Sequence, residues 1–157
     1  MPIILTRIDD RLVHGQVTEG WFKKLKPDII LVVSDEIASS DWKSELCLAA
    51  LPAFCRGMIV TVTDAPRFIN EYRADSLNAY VLFESPKDAH TVVKNGAQLT
   101  EINVGGMHSL KGKREIIDYI YVDETDTMYL KALKDLGIKL NFKDLPDNKN
   151  ADVMSRL

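Results

Sequence analysis

The chain has 157 residues, 46% of them hydrophobic and 27% charged, which is enough for one domain with a single large core. Its formal net charge of −3 excludes a protein held to nucleic acid mainly by phosphate contacts, and no apolar run approaches the ~20 residues that cross a bilayer. The start of the sequence lacks the regions of a signal peptide, and Cys47 and Cys55 form no zinc-type pair, so we expect a cytosolic protein with reduced thiols.

Short apolar runs rich in Ile, Val and Tyr alternate with segments of helical spacing along the whole chain. Because several of these runs have no polar interruption, they are typical of strands that are covered on both faces. The predicted strands, in chain order, are Ile3–Leu5, Ile29–Val33, Met58–Val62, Ala79–Phe83, Ile102–Val104 and Tyr119–Val122. A seventh run, Ile138–Phe142, alternates apolar and polar residues and therefore suits the edge of a sheet.

The segments between these runs have the ends and the spacing of amphipathic helices. Asp64 and Ser85 are placed to cap helices, and Gly96 and Gly137 are placed to end them. The predicted apolar stripes are Val17, Trp21 and Leu25; Trp42, Leu46, Ala49 and Ala50; Ala65, Phe68, Ile69 and Tyr72; Ala89, Val92 and Val93; and Met128, Ala132, Leu133 and Leu136. The element order predicts an α/β fold: a single-domain, doubly wound, mainly parallel sheet with helices on both faces and an edge strand near the C-terminus.

The densest candidate for chemistry follows the first predicted strand, at the edge of the sheet where functional groups gather. Residues 7–16 have the sequence Arg-Ile-Asp-Asp-Arg-Leu-Val-His-Gly-Gln. A neutral imidazole is a usable nucleophile near pH 7, so His14 is the candidate nucleophile. A neighbouring carboxylate, Asp9 or Asp10, can accept one ring N–H and leave the other nitrogen free to attack.

The same loop has groups that suit an anion. The guanidinium groups of Arg7 and Arg11 match phosphate oxygens and neutralise their charge. Gly15 lets the backbone approach an anion where the free N–H groups of the next helix begin. Gly105 and Gly106, after the fifth predicted strand, are a second candidate, because paired glycines can form an amide nest. Together these features favour phosphoryl transfer onto the imidazole.

The same residues are consistent with other interpretations. The charged loop is also consistent with a solvated turn in which an Asp caps a helix and the Arg residues form ion pairs. A receiver domain has an Asp pair after its first strand, but Asp64 suits a helix cap better than a phosphorylated Asp, and Gly-Gly-Met at 105–107 occupies the place of the receiver lysine. A metal site built from His14, His90 and His108 has no recognised ligand spacing, so we predict no metal.

The segment Arg7–Val17 closely resembles the active-site segment of the IIB subunits of the mannose/fructose/sorbose branch of the bacterial sugar phosphotransferase system (PTS). The resemblance continues in the expected order through Val32–Glu36, Ile102–Met107, Gly112–Lys113 and Val122–Asp123. It covers most of the chain, and it implies one PTS EIIB type-4 domain over residues 1–157.

The resemblance implies a phosphocarrier. A family member accepts a phosphoryl group from a phosphohistidine on the IIA subunit and passes it to a sugar as the membrane subunits IIC and IID import it. The matching acceptor is His14, at Nδ1, and Arg11 matches the family arginine that holds the phosphoryl group. The remaining positions of the site are matched by Arg7, Asp9, Asp10, Gly15 and Gln16, with Gly105 and Gly106 as support.

The implied setting is the cytoplasmic side of the IIC/IID complex, with no cofactor and no nucleic acid, and a homo-oligomer stays open. Position 108 varies in the family, and Gly-Met-His at 106–108 is similar to the N-acetylgalactosamine or galactosamine members. A function of another class also stays open: a non-enzymatic module of flavodoxin-like or receiver-like architecture that senses an anion or a sugar phosphate.

Overall fold

The computed structural model describes residues 3–157, apart from the side chain of Gln16. Its strands are β1 (Ile3–Asp9), β2 (Ile29–Val33), β3 (Arg56–Val60), β4 (Ala79–Phe83), β5 (Glu101–Gly106), β6 (Arg114–Ile117), β7 (Ile120–Val122) and β8 (Lys139–Phe142). Its helices are α1 (Phe22–Leu25), α2 (Asp35–Ala38), α3 (Asp41–Ala49), α4 (Ala65–Ala74), α5 (Pro86–Lys94) and α6 (Glu124–Asp135). A π-helical segment, Gln16–Trp21, leads into α1, and a 3₁₀ turn covers Met154–Arg156.

Six of the strands form one parallel sheet, in the order β3-β2-β4-β1-β5-β8. Strand β1 lies inside the sheet between β4 and β5, and β8 lies at an edge. Every residue of β2 and of β4 is buried, as expected for strands that are covered on both faces. The predicted α/β fold with a C-terminal edge strand is therefore confirmed. The carboxyl end of β1 lies between the ends of β4 and β5, away from both lateral edges of the sheet.

Helices cover both faces of this sheet. The larger core contains Ile69 of α4, Val92 of α5 and Leu130 of α6. The core on the opposite face contains Val17 of the π-helical segment and Phe22 of α1. None of the helices in residues 3–157 has both the length and the apolar character that a membrane span requires.

The predicted helix ends agree with the structure at all four positions. The Ser85 hydroxyl accepts the N–H of Asp88 at 3.2 Å and caps α5. Gly96 and Gly137 follow α5 and α6 with φ of +103° and +84°, a backbone conformation in which glycine carries no steric cost. Asp64 is the N-cap residue of α4, with Pro66 in the first turn as predicted. Its side chain makes no capping bond, because the carboxylate accepts from the Thr61 hydroxyl instead.

The predicted run Tyr119–Val122 is not part of the parallel sheet. Its residues 120–122 form β7, which pairs antiparallel with β6. The hairpin is attached to the end of β5 by Met107, whose N–H donates to the Tyr119 carbonyl and whose carbonyl accepts from Tyr121. Strand β6 begins with exposed Arg114 and Glu115, so it has no apolar run that periodicity could detect. Strand β3 lies two residues earlier than predicted, at Arg56–Val60.

The apolar stripe predicted for α3 does not pack on the core. Trp42 and Leu46 are 65% and 63% exposed, and Ala49 and Ala50 are exposed as well. Within α3 the contact with the second core is made by Cys47, on another face of the helix. Helical spacing fixes which residues share a face, but the packing of neighbouring elements decides which face is covered.

Candidate functional site

The site begins with two charged residues inside β1. Arg7 and Asp9 are two positions apart, so their side chains leave the same face of the strand. Both side chains are fully buried, and Arg7 Nη2 lies 2.9 Å from Asp9 Oδ2. A buried charge is tolerated only with a partner, and each of these groups is the partner of the other.

Further contacts fix the Arg7 guanidinium. Nη1 donates to Asn103 Oδ1 at 2.6 Å and to the Lys143 carbonyl at 3.1 Å. The guanidinium carbon also lies 5.4 Å from the ring centre of Trp21, a cation–π distance. Because Arg7 is enclosed in this way, it can support the site through Asp9, but it cannot reach a phosphate at the surface.

Gly105 and Gly106 lie within β5 beneath this ion pair. A Cβ at Gly105 would fall 1.8 Å from Arg7 Nη1, and one at Gly106 would fall 2.8 Å from Asp9 Oδ1. Their lack of side chains makes room for the buried pair. Both glycines are buried strand residues, which corrects our expectation of an amide nest in a turn after the strand.

Asp9 connects the buried pair to the loop that follows. Its Oδ1 accepts the backbone N–H of Arg11 at 3.1 Å and lies 3.6 Å from Arg11 Nε. Its Oδ2 lies 3.4 Å from Nε2 of His14, and its carbonyl accepts the Leu12 N–H at 2.9 Å. One buried carboxylate therefore touches both the candidate nucleophile and the candidate phosphate-binding arginine.

His14 lies at the rim of the sheet with 15% of its side chain exposed. Its Nδ1 is 2.8 Å from the Leu12 carbonyl, and since a carbonyl only accepts, Nδ1 carries the proton of that bond. Nε2 is buried and makes no hydrogen bond within the described part of the chain. Burial lowers the pKa of His14, while the Asp9 charge and the Leu12 carbonyl oppose that shift. The ring is therefore held neutral near pH 7, as a nucleophile requires.

The loop around His14 combines strain with exposure. Leu12 has φ of +55°, a left-handed conformation that is uncommon for a residue with a side chain. Gly15 is exposed and in right-handed helical geometry, and a Cβ there would meet open space. The side chain of Gln16, another predicted site residue, lies outside what the structure describes.

Arg11 is the cation that faces outward, with 39% of its side chain exposed. It borders a groove of about 420 Å³ between the loop and the α2–α3 region, and Leu12, Ile37, Lys43 and Leu46 also line this groove. A charged group on a partner could therefore reach Arg11 from outside, which it could not do at Arg7.

Asp10 lies on the outer side of the loop and contacts His108. Its Oδ2 accepts the backbone N–H of His108 at 2.7 Å, and its Oδ1 is in close contact with the His108 ring at Nδ1. Ligand atoms of Asp9, Asp10 and His108 come within 4.8 Å of one another. Asp9 already accepts from Arg7 at Oδ2 and from the Arg11 N–H at Oδ1, and His108 contacts both oxygens of Asp10, so we assign no metal here.

The structure thus brings together Arg7, Asp9, Asp10, Arg11 and His14 of the predicted site. Sequence reasoning missed Trp21, Asn103 and the His108 contact. Asn103 had a detectable signal, since it is an amide in the middle of an apolar strand run, and such a group needs a buried partner.

A model of the family described as "PTS system sorbose subfamily IIB component" matches residues 3–157. The chain belongs to this family of PTS IIB components. The fructose-specific EIIB component of Bacillus subtilis (strain 168) is 34% identical to it over 157 residues, covering 100% of the chain and 96% of the relative. The IIBSor domain of the sorbose permease from Klebsiella pneumoniae has a crystal structure that matches with a TM-score of 0.90 at 28% identity, covering 99% of the chain and 96% of that structure.

A third relative joins two PTS components in its name. The mannose-specific EIIAB component of Escherichia coli (strain K12) is 34% identical over 160 residues, and the match covers 100% of the chain but 50% of that relative. This IIB component is therefore a phosphocarrier and a sugar phosphotransferase of mannose-family sugar uptake. PTS IIB proteins work with IIA and with IIC and IID subunits.

Proposed function

We propose that His14 is the phosphoryl acceptor of this IIB component. The observation that carries this proposal is the contact of one imidazole with Asp9 Oδ2 at 3.4 Å and with the Leu12 carbonyl at 2.8 Å, beside an exposed Arg11. A phosphohistidine on IIA donates the group, and a sugar that enters through IIC and IID receives it. Asp9, Asp10 and Arg11 complete the reacting loop, and Arg7 supports it from inside.

The first transfer exchanges one P–N bond for another. The bond from phosphorus to the donor imidazole breaks, and its electron pair stays on the donor nitrogen. A new bond forms from the lone pair of His14 Nδ1, while the His14 proton is held at Nε2 against Asp9. In the second transfer a sugar hydroxyl attacks phosphorus and gives its proton to water. A P–O bond forms, the P–N bond breaks, and its electron pair returns to Nδ1.

Attack through Nδ1 requires one local change. The Leu12 carbonyl faces Nδ1 at 2.8 Å, so it has to turn away before phosphorus can approach. A rotation of the planar peptide between Leu12 and Val13 achieves this, because it turns the carbonyl through ψ of Leu12 and φ of Val13. As the carbonyl leaves Nδ1, the ring proton is favoured at Nε2, because Asp9 Oδ2 is the acceptor that remains.

Arg11 supplies the positive charge for the transferring group. In phosphoryl transfer the charge is spread over the outer oxygens, and positioning and charge neutralisation supply most of the rate. Arg11 is fixed at its backbone by Asp9, and its side chain is the exposed guanidinium of the loop. The mechanism needs neither a cofactor nor a metal, because the guanidinium and loop amides hold the charge.

The proposed setting is the cytoplasmic face of the membrane, in transient contact with the IIC/IID complex. Two partners must reach the same imidazole in turn, so each contact is modest in area and is steered by charge. The name EIIAB of the Escherichia coli relative supports a IIA component as the donor. A homo-oligomer is compatible with this arrangement.

The test is a transfer assay with the purified chain. The wild-type protein, incubated with phosphorylated IIA, should gain the mass of one phosphoryl group, and adding membranes that contain IIC and IID should move the group to a sugar. A panel of fructose, mannose, sorbose and N-acetylgalactosamine identifies the acceptor. Reversible binding without a gain in mass would instead indicate a sensing module, and the proposal would be wrong.

A further inference from the structure

The connection between β5 and β6 reaches across to the loop that holds His14. The contact is made by one residue, His108, which uses two of its groups on the same carboxylate. Its backbone N–H donates to Asp10 Oδ2 at 2.7 Å, and its ring Nδ1 contacts Asp10 Oδ1. Since a carboxylate only accepts, the ring contributes an Nδ1–H donor. The two oxygens of Asp10 are thus both bound by His108.

This contact fixes the base of the reacting loop from outside. Asp10 comes directly before Arg11, and its own N–H donates to the Gly106 carbonyl at 3.1 Å. On the inner side, Asp9 already holds the N–H groups of Arg11 and Leu12. The peptide that carries Arg11 therefore lies between two carboxylates, one anchored in the core and the other anchored by His108.

The anchor matters because the loop is strained. Leu12 has φ of +55°, and a residue in that region keeps its conformation only while its surroundings hold it. If Asp10 is released, residues 10–11 lose their outer anchor, and the Arg11 guanidinium is displaced. A displacement of about 1 Å at a reacting group can slow a transfer by about a hundredfold.

We propose that His108 is a positioning residue for phosphoryl transfer at His14. It acts through Asp10 and keeps Arg11 at the place from which its guanidinium can meet the phosphoryl group. The inference rests on the proposed role of His14. What Asp10 requires from the side chain at position 108 is an N–H at the place of Nδ1. Another side chain with a donor at that place should therefore fill the role in part.

Two substitutions separate the ring donor from the rest of the side chain. His108→Ala removes the ring and keeps the backbone bond to Asp10. His108→Asn places the amide nitrogen on the same carbon and at the same distance from Cβ as Nδ1, so it can donate to Asp10 Oδ1. His90→Ala is the matched control, because His90 lies on α5 in ring contact with Tyr129, away from the loop.

The experiment measures single-turnover transfer from phosphorylated IIA at several donor concentrations. We expect His108→Ala to lower the maximal rate about tenfold, as the loss of one bond to a charged group would, with the half-saturating donor concentration unchanged. His108→Asn should restore most of the rate, and His90→Ala should match the wild type. Thermal unfolding of each variant checks that the fold is retained.

The outcomes distinguish this inference from the proposed function. A wild-type protein that is not phosphorylated would refute the proposed function itself. If the wild type is phosphorylated and His108→Ala is equally fast, the positioning role is wrong. The role is also wrong if Asn is as slow as Ala, or if only the half-saturating concentration changes, since the latter would indicate a docking contact. In an Asp10→Ala background, His108→Ala should have no further effect on the rate.

Discussion

Arg7 and Asp9 form an ion pair that is closed to solvent, with Nη2 of the arginine 2.9 Å from Oδ2 of the aspartate. The pair lies inside a parallel sheet, where uncharged strand residues would be the simpler choice. Its position explains why it is kept: the same carboxylate touches His14 and the backbone of Arg11. The ion pair thus fixes Asp9 in the sheet, and Asp9 in turn holds the loop that contains Arg11 and His14.

Removing one member of this pair should destabilise the fold strongly. Asp9→Ala leaves the Arg7 cation buried without its carboxylate, and we expect a loss of about 3–5 kcal/mol in the free energy of unfolding. Urea denaturation measures this value. As a control, Lys23→Ala breaks the exposed pair with Glu19 and should change stability by less than about 0.5 kcal/mol. Equal effects of the two substitutions would contradict the account of the buried pair.

Gly105 should tolerate no side chain. The Cβ of Gly105→Ala would fall 1.8 Å from Arg7 Nη1, and because Arg7 is held by Asp9 and Asn103 it cannot step aside. We expect a loss of about 3 kcal/mol by thermal or urea unfolding. Gly15→Ala is the matched substitution, since its Cβ meets open space and its backbone is already helical; its stability should equal or exceed that of the wild type.

The two strands whose bounds the sequence predicts without error contain no charge. Both β2 and β4 are uninterrupted apolar runs, and their bounds were predicted without error. The prediction of β1 stopped at Leu5, because Arg7 and Asp9 are typical of a loop. They are strand residues only because Asn103 and the Lys143 carbonyl supply acceptors and two glycines in β5 leave space. Such partners come from distant parts of the chain, so local pattern could not reveal them.

The candidate site, like the strands, could be predicted from the sequence only in part. Residue type and order were enough to bring His14, Asp9 and Arg11 to one loop, because a βα turn keeps neighbours in sequence close in space. Arg7 is buried and supports the site, whereas Arg11 is exposed and can meet the phosphoryl group. The sequence pattern does not show which of the two arginines is buried. The Asp10–His108 contact joins residues that are 98 positions apart, and it follows from β1 and β5 being adjacent in the sheet.

Protonation of His14 should be unfavourable in the folded state. Burial lowers its pKa, so its NMR titration midpoint should lie below about 6.5, the value of an unperturbed histidine. Because the unfolded chain then binds this proton more readily than the folded chain, the free energy of unfolding should decrease as the pH falls below about 6.5. Comparing the pH dependence of unfolding in the wild type and in His14→Gln isolates this contribution. A midpoint at or above 6.5 would show that Asp9 outweighs burial.

Arg11 should matter for transfer and little for folding. We expect Arg11→Ala to slow single-turnover phosphorylation by about a hundredfold, the effect of losing one charge-stabilising donor, while its unfolding temperature stays near that of the wild type. Arg11→Lys should recover part of the rate, because it restores the charge without the planar fork. Arg67→Ala, which removes an exposed arginine paired with Glu71 on α4, is the control and should transfer at the wild-type rate.

The acceptor is most directly identified by locating the phosphoryl group on the chain. The protein is incubated with phosphorylated IIA, digested at alkaline pH to protect an acid-labile P–N bond, and fragmented in a mass spectrometer beside a His14→Gln sample. We predict one phosphoryl group per chain, on His14, and none in the variant. A group found on His90, on His108 or on a hydroxyl, or full incorporation into His14→Gln, would contradict the assignment of His14 as the carrier.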